Sequence, residues 1–224
     1  MEKLTNLPAK KKATYHHGDL ANTLKRVALE MIAKEGVEGF SLREAAKVVG
    51  VSPSAIYRHF PDKETLLSAI AQDGFVLLAE EFVKAMQLAA KARGMNTRER
   101  ATVKFMAQGR SYIRFALANP SLFMVMFGPY CNSISVQSFE AAASSPYALL
   151  SAALDELMAS GVLTSEHRQN LEIPVWSMVH GLANLLVTGA LDPNEADSMI
   201  ELVVQQLLRS LGLSIDGKQI KAAV

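Results

Sequence analysis

The sequence feature that most constrains the fold is a pair of short helix signals, separated by a tight turn, within residues 41–67. Ser41 followed three residues later by Glu44 has the pattern of a capping box, so the first helix is expected to begin at the next residue. Apolar residues then recur at helical spacing until Gly50, which can adopt the left-handed conformation that closes a helix. A second start signal follows at Ser52, a good N-cap residue. This spacing predicts a helix-turn-helix.

The second helix of this pair is expected to run from Pro53 to Phe60. Two turns are too few for a helix to be stable alone in water, so this helix must pack against its neighbours, which Ala55, Ile56 and Phe60 can do. The polar or amphipathic side chains left for a partner are Ser52, Ser54, Tyr57, Arg58 and His59. A short exposed helix after a tight turn is the element that enters the major groove of DNA in many regulators. The same geometry also occurs inside ordinary all-α domains, and the spacing alone does not decide between the two.

A lysine in an unusual position opens the following helix. Asp62 is the expected N-cap of this helix, and Lys63 lies in its first turn. The helix dipole disfavours a cation there and favours an anion such as a phosphate group. We therefore expect Lys63 and the first backbone amides of the helix to hold a DNA phosphate.

The run Tyr57-Arg58-His59-Phe60 is followed by Asp62-Lys63-Glu64-x-Leu66-Leu67. With the rest of residues 15–70, this motif closely resembles the DNA-binding domain of the TetR family of bacterial transcriptional regulators. The resemblance implies that Tyr57 and Lys63 contact phosphates and that the two serines of the second helix lie near base edges. It also implies that His59 contacts the DNA backbone or orients the helix. The DNA-binding residues expected on this basis are Ser41, Arg43, Ser52, Ser54, Tyr57, His59 and Lys63.

The rest of the chain carries further helix signals and no alternating strand pattern, which predicts an all-α fold. We expect a three-helix helix-turn-helix DNA-binding domain over residues 15–70. A long helix joins it to a C-terminal helical ligand-binding and dimerisation domain over residues 71–212. Helices are predicted over residues 20–36, 62–93, 97–118, 146–160, 165–190 and 193–212. Residues 1–14 are expected to form a flexible basic arm, and residues 213–224 a loose tail.

The charge of the chain is unevenly distributed, although the formal net charge of its 224 residues is only +1. Residues 1–70 hold 11 Lys and Arg against 8 Asp and Glu, whereas residues 71–224 hold 12 against 14. This basic excess is small, so DNA affinity must come from placed contacts more than from bulk charge. The run Lys10, Lys11 and Lys12 either follows DNA phosphates or belongs to a solvated tail, and the sequence leaves both open.

Other sequence features favour a cytoplasmic protein without a metal or cofactor. A single cysteine, Cys131, excludes an internal disulfide. We expect it to be a small core residue, with a redox-sensitive thiol as the alternative. The histidines, at positions 16, 17, 59, 167 and 180, lack the i, i+4 pairing with acidic neighbours that suggests a metal site. The N-terminus lacks the apolar segment that a signal peptide needs.

Residues 173–191 form a largely apolar segment that approaches the length of a membrane span. A proline, a histidine and acidic flanks argue against a bilayer helix, so we expect protein to bury this segment. In the TetR family the last two long helices commonly pair with their copies as a four-helix bundle. The resemblance thus implies a homodimer through residues 165–211 that reads a palindromic operator. Leu186 and Leu207 are the positions expected in its interface.

Trp176 and His180 are one helical turn apart and therefore share a face. The motif Trp176-x-x-x-His180-Gly181 also resembles a signature of one TetR subgroup. His180 is expected to be either a core histidine bonded to a backbone carbonyl or a polar anchor in a ligand cavity. The cavity of the second interpretation is lined by Phe105, Tyr112, Phe115, Phe123, Met126, Phe127, Trp176 and His180. Because no charged cluster accompanies them, the expected ligand is small, hydrophobic, and neutral or weakly charged.

Three classes of function remain after these observations. The first is a repressor that leaves its operator when a small hydrophobic ligand binds. The second is a DNA-binding protein of the same fold without an inducer, such as a chromosome-organising or division-regulating factor. The third, a helical enzyme, is disfavoured because the sequence has no nucleophile-base pair, paired carboxylates or metal ligands at recognisable spacing.

Overall fold

In the computed structural model, which describes residues 20–129 and 145–211, every regular element is a helix. In chain order the helices are α1 (Leu20–Gly39), α2 (Leu42–Val49), α3 (Pro53–Tyr57), α4 (Lys63–Ala90), α5 (Thr97–Ala118), α6 (Pro120–Met126), α7 (Pro146–Ala159), α8 (Ser165–Arg168), α9 (Glu172–Val187) and α10 (Ala196–Ser210), with a 3₁₀ turn at Pro193–Glu195. The predicted all-α fold is confirmed. The predicted basic arm, Cys131 and the C-terminal tail lie outside the described residues.

Helices α1, α2 and α3 form a three-helix unit around one apolar core. Leu24 of α1, Ala45 of α2 and Ile56 of α3 are all fully buried in it. Leu66 and Leu67, from the first turns of α4, are buried in the same core. The long helix α4 is therefore anchored in this unit before it leaves it.

Capping residues fix several helix boundaries as the sequence predicts. The Ser52 side chain accepts a hydrogen bond from the Ala55 amide at 3.3 Å, and Asp62 accepts one from the Thr65 amide at 2.7 Å. Gly50 has a φ of 79° and closes α2 in the left-handed conformation. The hydrogen bonds accepted by Ser52 and Asp62 satisfy amides that a helix start otherwise leaves without a partner.

The capping box predicted at the start of α2 is wrong. Ser41 has the extended backbone of an N-cap, but its side chain makes no capping hydrogen bond. A capping box occurs instead at α5, where the side chains of Asn96 and Glu99 each accept the other's amide at 3.0 Å. A serine side chain has several accessible rotamers, so the residue pattern located the start of α2 without determining the bond.

Two boundaries near the turns differ from the sequence prediction. Helix α1 is interrupted at Gly36, where φ is 74°, but helical structure resumes and reaches Gly39. Helix α3 ends at Tyr57 instead of Phe60. The amides of His59 and Phe60 both bond to the Ile56 carbonyl, so the chain turns tightly there and does not complete another helical turn.

The single helix predicted over residues 165–190 is in fact two helices, α8 and α9. The chain breaks at Asn170, whose φ is 56°. The Arg168 guanidinium lies across this break, 2.7 Å from the Asp155 carboxylate and 2.8 Å from that of Glu172. Asp155 belongs to α7, so a contact distant in sequence supports a break that helical periodicity did not reveal. The last predicted helix likewise becomes α-helical only at Ala196, after the 3₁₀ turn.

Helix α5 is central to the C-terminal half. It packs against α4, α6, α7, α9 and α10. The short helix α6 lies against both α4 and α1. Helices α4 and α6 therefore both connect the three-helix unit with the C-terminal half.

Candidate functional site

The candidate DNA-binding surface is the exposed side of α3 and the turn that follows it. Ser52, Ser54, Tyr57, Arg58 and His59 are all exposed. On the opposite side, Ile56 and Phe60 are buried in the three-helix core. The division of α3 into a packing side and an exposed side is thus the one expected from the sequence, and the DNA contacts of the exposed residues stay a prediction.

The two serines of α3 differ in what their side chains do. Ser52 Oγ caps the helix through the Ala55 amide, and it lies 2.9 Å from Ser54 Oγ. Ser52 therefore holds the first turn of the helix in place, whereas Ser54 has no capping bond. Among the other expected DNA-binding residues, Ser41 is half-buried and Arg43 is exposed on α2.

Lys63 connects the start of α4 to the end of α1. Its Nζ donates a hydrogen bond to the Glu38 carbonyl oxygen at 3.2 Å, and the residue is half-buried. The Thr65 amide, one of the amides expected to hold a phosphate, is occupied by Asp62. The ammonium group has three N–H donors, so it can contact a DNA phosphate while it keeps its bond to the Glu38 carbonyl.

A cavity of about 70 Å³ lies in the C-terminal half, between α4, α5, α7, α9 and α10. Its lining residues are Phe75, Leu78, Phe82, Phe105, Gln108, Gly109, Tyr112, Phe127, Pro146, Tyr147, Leu150, Val175, Trp176, Val179 and Leu207. None of them carries a charge. Small-molecule sites usually have this composition, with apolar walls and few polar groups.

Three polar rings form a hydrogen-bond chain at one wall of this cavity. Trp176 Nε1 donates to the Tyr112 hydroxyl at 3.1 Å, and that hydroxyl lies 2.7 Å from His180 Nδ1. The Tyr112 proton can go to Nδ1 when His180 is in its neutral Nε2–H form. Burial lowers the pKa of His180 below its ordinary value, which favours the same neutral form. Burial likewise raises the pKa of Tyr112 and keeps its hydroxyl protonated.

The eight residues expected to line a cavity are only partly brought together. Phe105, Tyr112, Phe127 and Trp176 line the cavity. His180 lies behind Tyr112 and is bonded to its hydroxyl, so it matches neither the backbone-bonded core histidine nor a direct lining residue. Phe115, Phe123 and Met126 are buried in the surrounding core.

Phe127 is the ring on which the aromatic contacts of this region converge. Its centroid lies 5.4 Å from that of Phe75 on α4, 6.4 Å from Tyr112 and 6.0 Å from Trp176. It is 4.7 Å from the His180 ring, in an edge-on arrangement. Phe127 follows directly after α6, so the short helix that touches α1 also ends at the cavity.

Sequence reasoning missed the contribution of α4 and the one amide in the lining. Phe75, Leu78 and Phe82 recur at spacings of three and four on α4 and form one wall of the cavity. That spacing identifies a buried face but not what the face covers. Gln108 lies on α5 within an apolar face and is buried, a combination that would have marked it as unusual.

One face of α9 is apolar and exposed. Ile173, Ser177, Gly181 and Leu185 follow one another at four-residue spacing, and all but the half-buried glycine are exposed. Leu202 of α10 is also exposed.

The interface positions expected from the sequence are wrong in detail. Leu186 and Leu207 are 1% and 3% exposed and lie in the core of the single chain, because they occupy the inward faces of α9 and α10. Periodicity separates the two faces of a helix but does not tell which one meets a second subunit.

No group of three or more His, Cys, Asp or Glu side chains is placed to hold a metal ion within residues 20–129 and 145–211. Over these ranges, no helix has the length and apolar character needed to cross a bilayer.

Comparison with known proteins shows similarity in both halves of the chain. Residues 25–70 match the family described as bacterial regulatory proteins, tetR family, and residues 105–210 match the tetracyclin repressor-like C-terminal domain. The tetracycline repressor protein class A from transposon 1721 of Escherichia coli is 41% identical over 59 residues. That match covers 26% of this chain and 26% of the relative, so it spans only about a quarter of the curated relative.

Solved structures are similar over most of their length. A protein of unknown function from Rhodococcus sp. RHA1 has a TM-score of 0.70 at 29% identity, over 89% of this chain and 99% of that one. A regulatory protein in the tetR family from Rhodococcus RHA1 has a TM-score of 0.64 at 19% identity, over 87% and 97% of the two chains. With matches in both halves and the same fold, the chain belongs to the TetR family of bacterial transcriptional regulators and carries the DNA-binding domain of that family in its N-terminal half.

Proposed function

We propose that this protein is a homodimeric transcriptional repressor that leaves a palindromic operator when a small hydrophobic ligand enters the cavity between α4, α5 and α9. It acts in the cytoplasm and needs no cofactor. The observation that carries the proposal is the position of α4. This helix begins with Lys63 beside the recognition helix α3, and its later turns supply Phe75 and Phe82 to the cavity wall.

The size of the cavity connects ligand binding to movement of α4. The volume of about 70 Å³ is small, since an engineered cavity that binds benzene measures about 150 Å³. A larger ligand that is held between these walls is expected to push them outwards, and α4 is one of them. Such a ligand binds more tightly to the conformation with displaced α4, which is the differential affinity that a switch requires. We expect a coupling of about 1–3 kcal/mol, or about 5- to 150-fold in operator affinity.

A second route to the three-helix unit runs through Phe127 and α6. Phe127 lines the cavity and packs its ring against Phe75, and the helix before it lies against α1 and α4. Displacement of Phe127 is therefore expected to move α6 along with α4.

The proposed dimer rests on the exposed face of α9. Small residues at Ser177 and Gly181 allow close approach of a second helix, and Ile173 and Leu185 supply apolar contact area on either side. A β-carbon at Gly181 would meet no atom within 4 Å in the single chain, so this stretch of the helix surface is uncovered. Two copies joined there would present two recognition helices to one operator.

The experiment that tests the proposal follows operator release and the fluorescence of Trp176, the one tryptophan of the chain. An operator is first selected from a random duplex library with the purified protein. Hydrophobic compounds that quench Trp176 should then release this DNA in the same concentration range. Val179→Phe, which fills the cavity, should retain operator binding but lose both responses.

The matched control is Val83→Phe, the same change at an exposed position of α4 that does not line the cavity. It should respond to ligand as the wild type does. Release of DNA by compounds in the Val179→Phe variant would place the ligand elsewhere. Quenching of Trp176 without any loss of DNA would favour the alternative of a DNA-binding protein without an inducer.

A further inference from the structure

Among the buried polar side chains of the described residues, that of Gln108 differs from the others because its polar atoms have no hydrogen-bond partner. Three polar or charged residues are buried there, namely Thr102, Gln108 and Ser145. Thr102 donates a hydrogen bond to the Arg98 carbonyl, and Ser145 accepts one from a backbone amide of α7. Gln108 is 3% exposed, and neither its Oε1 nor its Nε2 has a hydrogen-bond partner. Native interiors seldom leave both ends of an amide unpaired.

Gln108 also lies where a ligand can reach it. It belongs to the cavity lining, between Phe105 and Tyr112 on the inward side of α5. The Tyr112 hydroxyl is already bonded to Trp176 and His180, so its hydrogen-bonding capacity is used within the protein. The amide of Gln108 is a polar group of this lining with neither of its side-chain polar atoms bonded among the described residues, so it is available to an incoming molecule.

The chemistry of an amide defines its complement. The carbonyl oxygen accepts a hydrogen bond and the adjacent NH₂ group donates one, so a full partner offers a donor and an acceptor side by side. None of the lining residues is charged, and a charged group would lose its hydration without compensation in such surroundings. The complement is therefore neutral, with an apolar body that fits the aromatic walls.

We propose that Gln108 determines the ligand specificity of the cavity, and that the ligand is a neutral, largely apolar molecule with a carboxamide, lactam or similar donor-acceptor edge that pairs with the Gln108 side chain. This inference rests on the proposed function, since it assumes that the cavity is the ligand site. It adds the class of polar group that the ligand must carry.

A series of probes of nearly equal shape tests the pairing. 2-Naphthamide offers a donor and an acceptor, methyl 2-naphthyl ketone an acceptor only, and 2-ethylnaphthalene neither. 2-Naphthoate adds a negative charge. Their affinities are measured by Trp176 quenching and thermal shift for the wild type, for Gln108→Met and Gln108→Leu, and for the exposed control Gln87→Met.

The difference in affinity between two probes is compared in two proteins. The cost of taking each probe out of water is the same for both proteins, so it cancels in this comparison. The preference for the amide over 2-ethylnaphthalene should be roughly ten-fold or more larger in the wild type than in Gln108→Met, because two hydrogen bonds are lost. In the wild type, the affinity for the ketone should lie between the affinities for the amide and for 2-ethylnaphthalene. Naphthoate should have the lowest affinity. Gln87→Met should retain the wild-type preference. Gln108→Leu should repeat the result of Gln108→Met with a side chain of different shape.

The stability of the ligand-free variants provides an independent readout. Without ligand, Gln108→Met should melt no lower than the wild type, because the variant no longer buries an unpaired amide. A clear fall of the melting temperature in both Gln108 variants would show that the amide has a structural partner, and would overturn the inference.

The remaining outcomes separate the two proposals. Equal affinity for the amide and the hydrocarbon, or a preference that persists in both Gln108 variants, overturns the role of Gln108 while the cavity stands as the ligand site. If no probe of the series binds to any variant, the cavity itself is rejected as a site for such molecules, and the inference about Gln108 is rejected with it.

Discussion

Gly74 of α4 lies so close to the side chain of Met126 at the end of α6 that a β-carbon at position 74 would require this side chain to shift. A β-carbon at Gly74 would be 2.6 Å from Met126 Sδ and 3.0 Å from Leu122 Cδ1. Helix α6 therefore fits onto α4 because position 74 has no side chain. Phe75, the next residue of α4, lines the cavity and packs its ring against Phe127, the residue after Met126. This crossing is where both proposed routes from the cavity to the three-helix unit meet.

The first prediction concerns this crossing. Gly74→Val should lower the free energy of unfolding by about 1–3 kcal/mol, because the added carbons overpack the contact with α6. Met126→Ala should destabilise the protein by leaving a cavity. In the double variant, Gly74→Val should lower the free energy of unfolding by less than it does alone, because the valine occupies part of the space that Met126 leaves. Urea unfolding of the four proteins measures this coupling, and simple additivity would show that the two side chains do not compete for the same space.

The second prediction concerns the phosphate contacts of the recognition surface. Lys63→Ala and Tyr57→Phe should weaken binding to all DNA sequences alike, and the lysine change should lower the salt slope by about one. Ser54→Ala should instead change which operator is preferred, with little loss of stability since Ser54 does not cap α3. Affinities for selected and random duplexes at several salt concentrations measure both effects.

The outcomes that would contradict this prediction are specific to each residue. An unchanged affinity and slope in Lys63→Ala would show that Lys63 makes no contact with a DNA phosphate. Loss of binding in Ser52→Ala would not identify a base contact, because Ser52 caps α3 and its removal is expected to cost about 0.5–2 kcal/mol of stability.

The helix-turn-helix was predictable because its signals are local. Ser52, Pro53 and Asp62 define helix starts within a few residues of themselves, and the division of α3 into buried and exposed positions follows from helical periodicity. The long connecting helix was predictable for the same reason. Its observed end at Ala90 is close to the predicted one.

The cavity was less predictable because it depends on contacts between distant helices. The aromatic residues around it were identified as a group, but Phe123 and Phe127, only four residues apart, have different surroundings. Phe123 is fully buried in the core, whereas Phe127 lines the cavity. The break at Asn170 was also missed, because the ion pair between Arg168 and Asp155 that spans it joins different helices. Such outcomes depend on tertiary packing and not on the local sequence.

The third prediction concerns the proposed dimer. Leu185→Glu together with Leu202→Glu should give a monomer with little operator affinity, since both leucines are exposed in the single chain at 44% and 58%. The control is Leu88→Glu, which is 56% exposed and belongs to α4, a helix outside the proposed interface. Light scattering should show a dimer for the wild type and for the control. A wild-type monomer at micromolar concentration, or a dimer that survives both changes, would contradict the proposed interface.

The last prediction concerns the pH dependence that His180 imposes on stability. Burial lowers the pKa of His180 in the folded chain, whereas the unfolded chain has the ordinary histidine pKa of about 6.5. As the pH falls below that value, the unfolded state takes up a proton before the folded state does. The contribution of neutral His180 is therefore complete above about pH 6.5 and is lost as the pH falls towards the lowered pKa. Protonation at Nδ1 would also reverse the hydrogen bond with the Tyr112 hydroxyl.

Urea midpoints measured across this pH range in the wild type and in His180→Gln test this dependence. The difference between the two proteins should shrink as the pH falls, because only the wild type loses the contribution of neutral His180, whereas the other titrating groups are common to both proteins. Tyr112→Phe should keep the direction of the pH dependence, since burial is the cause of the shift and the ring stays buried. A constant difference between wild type and His180→Gln from about pH 8 to about pH 5 would show that His180 titrates alike in the folded and unfolded chain.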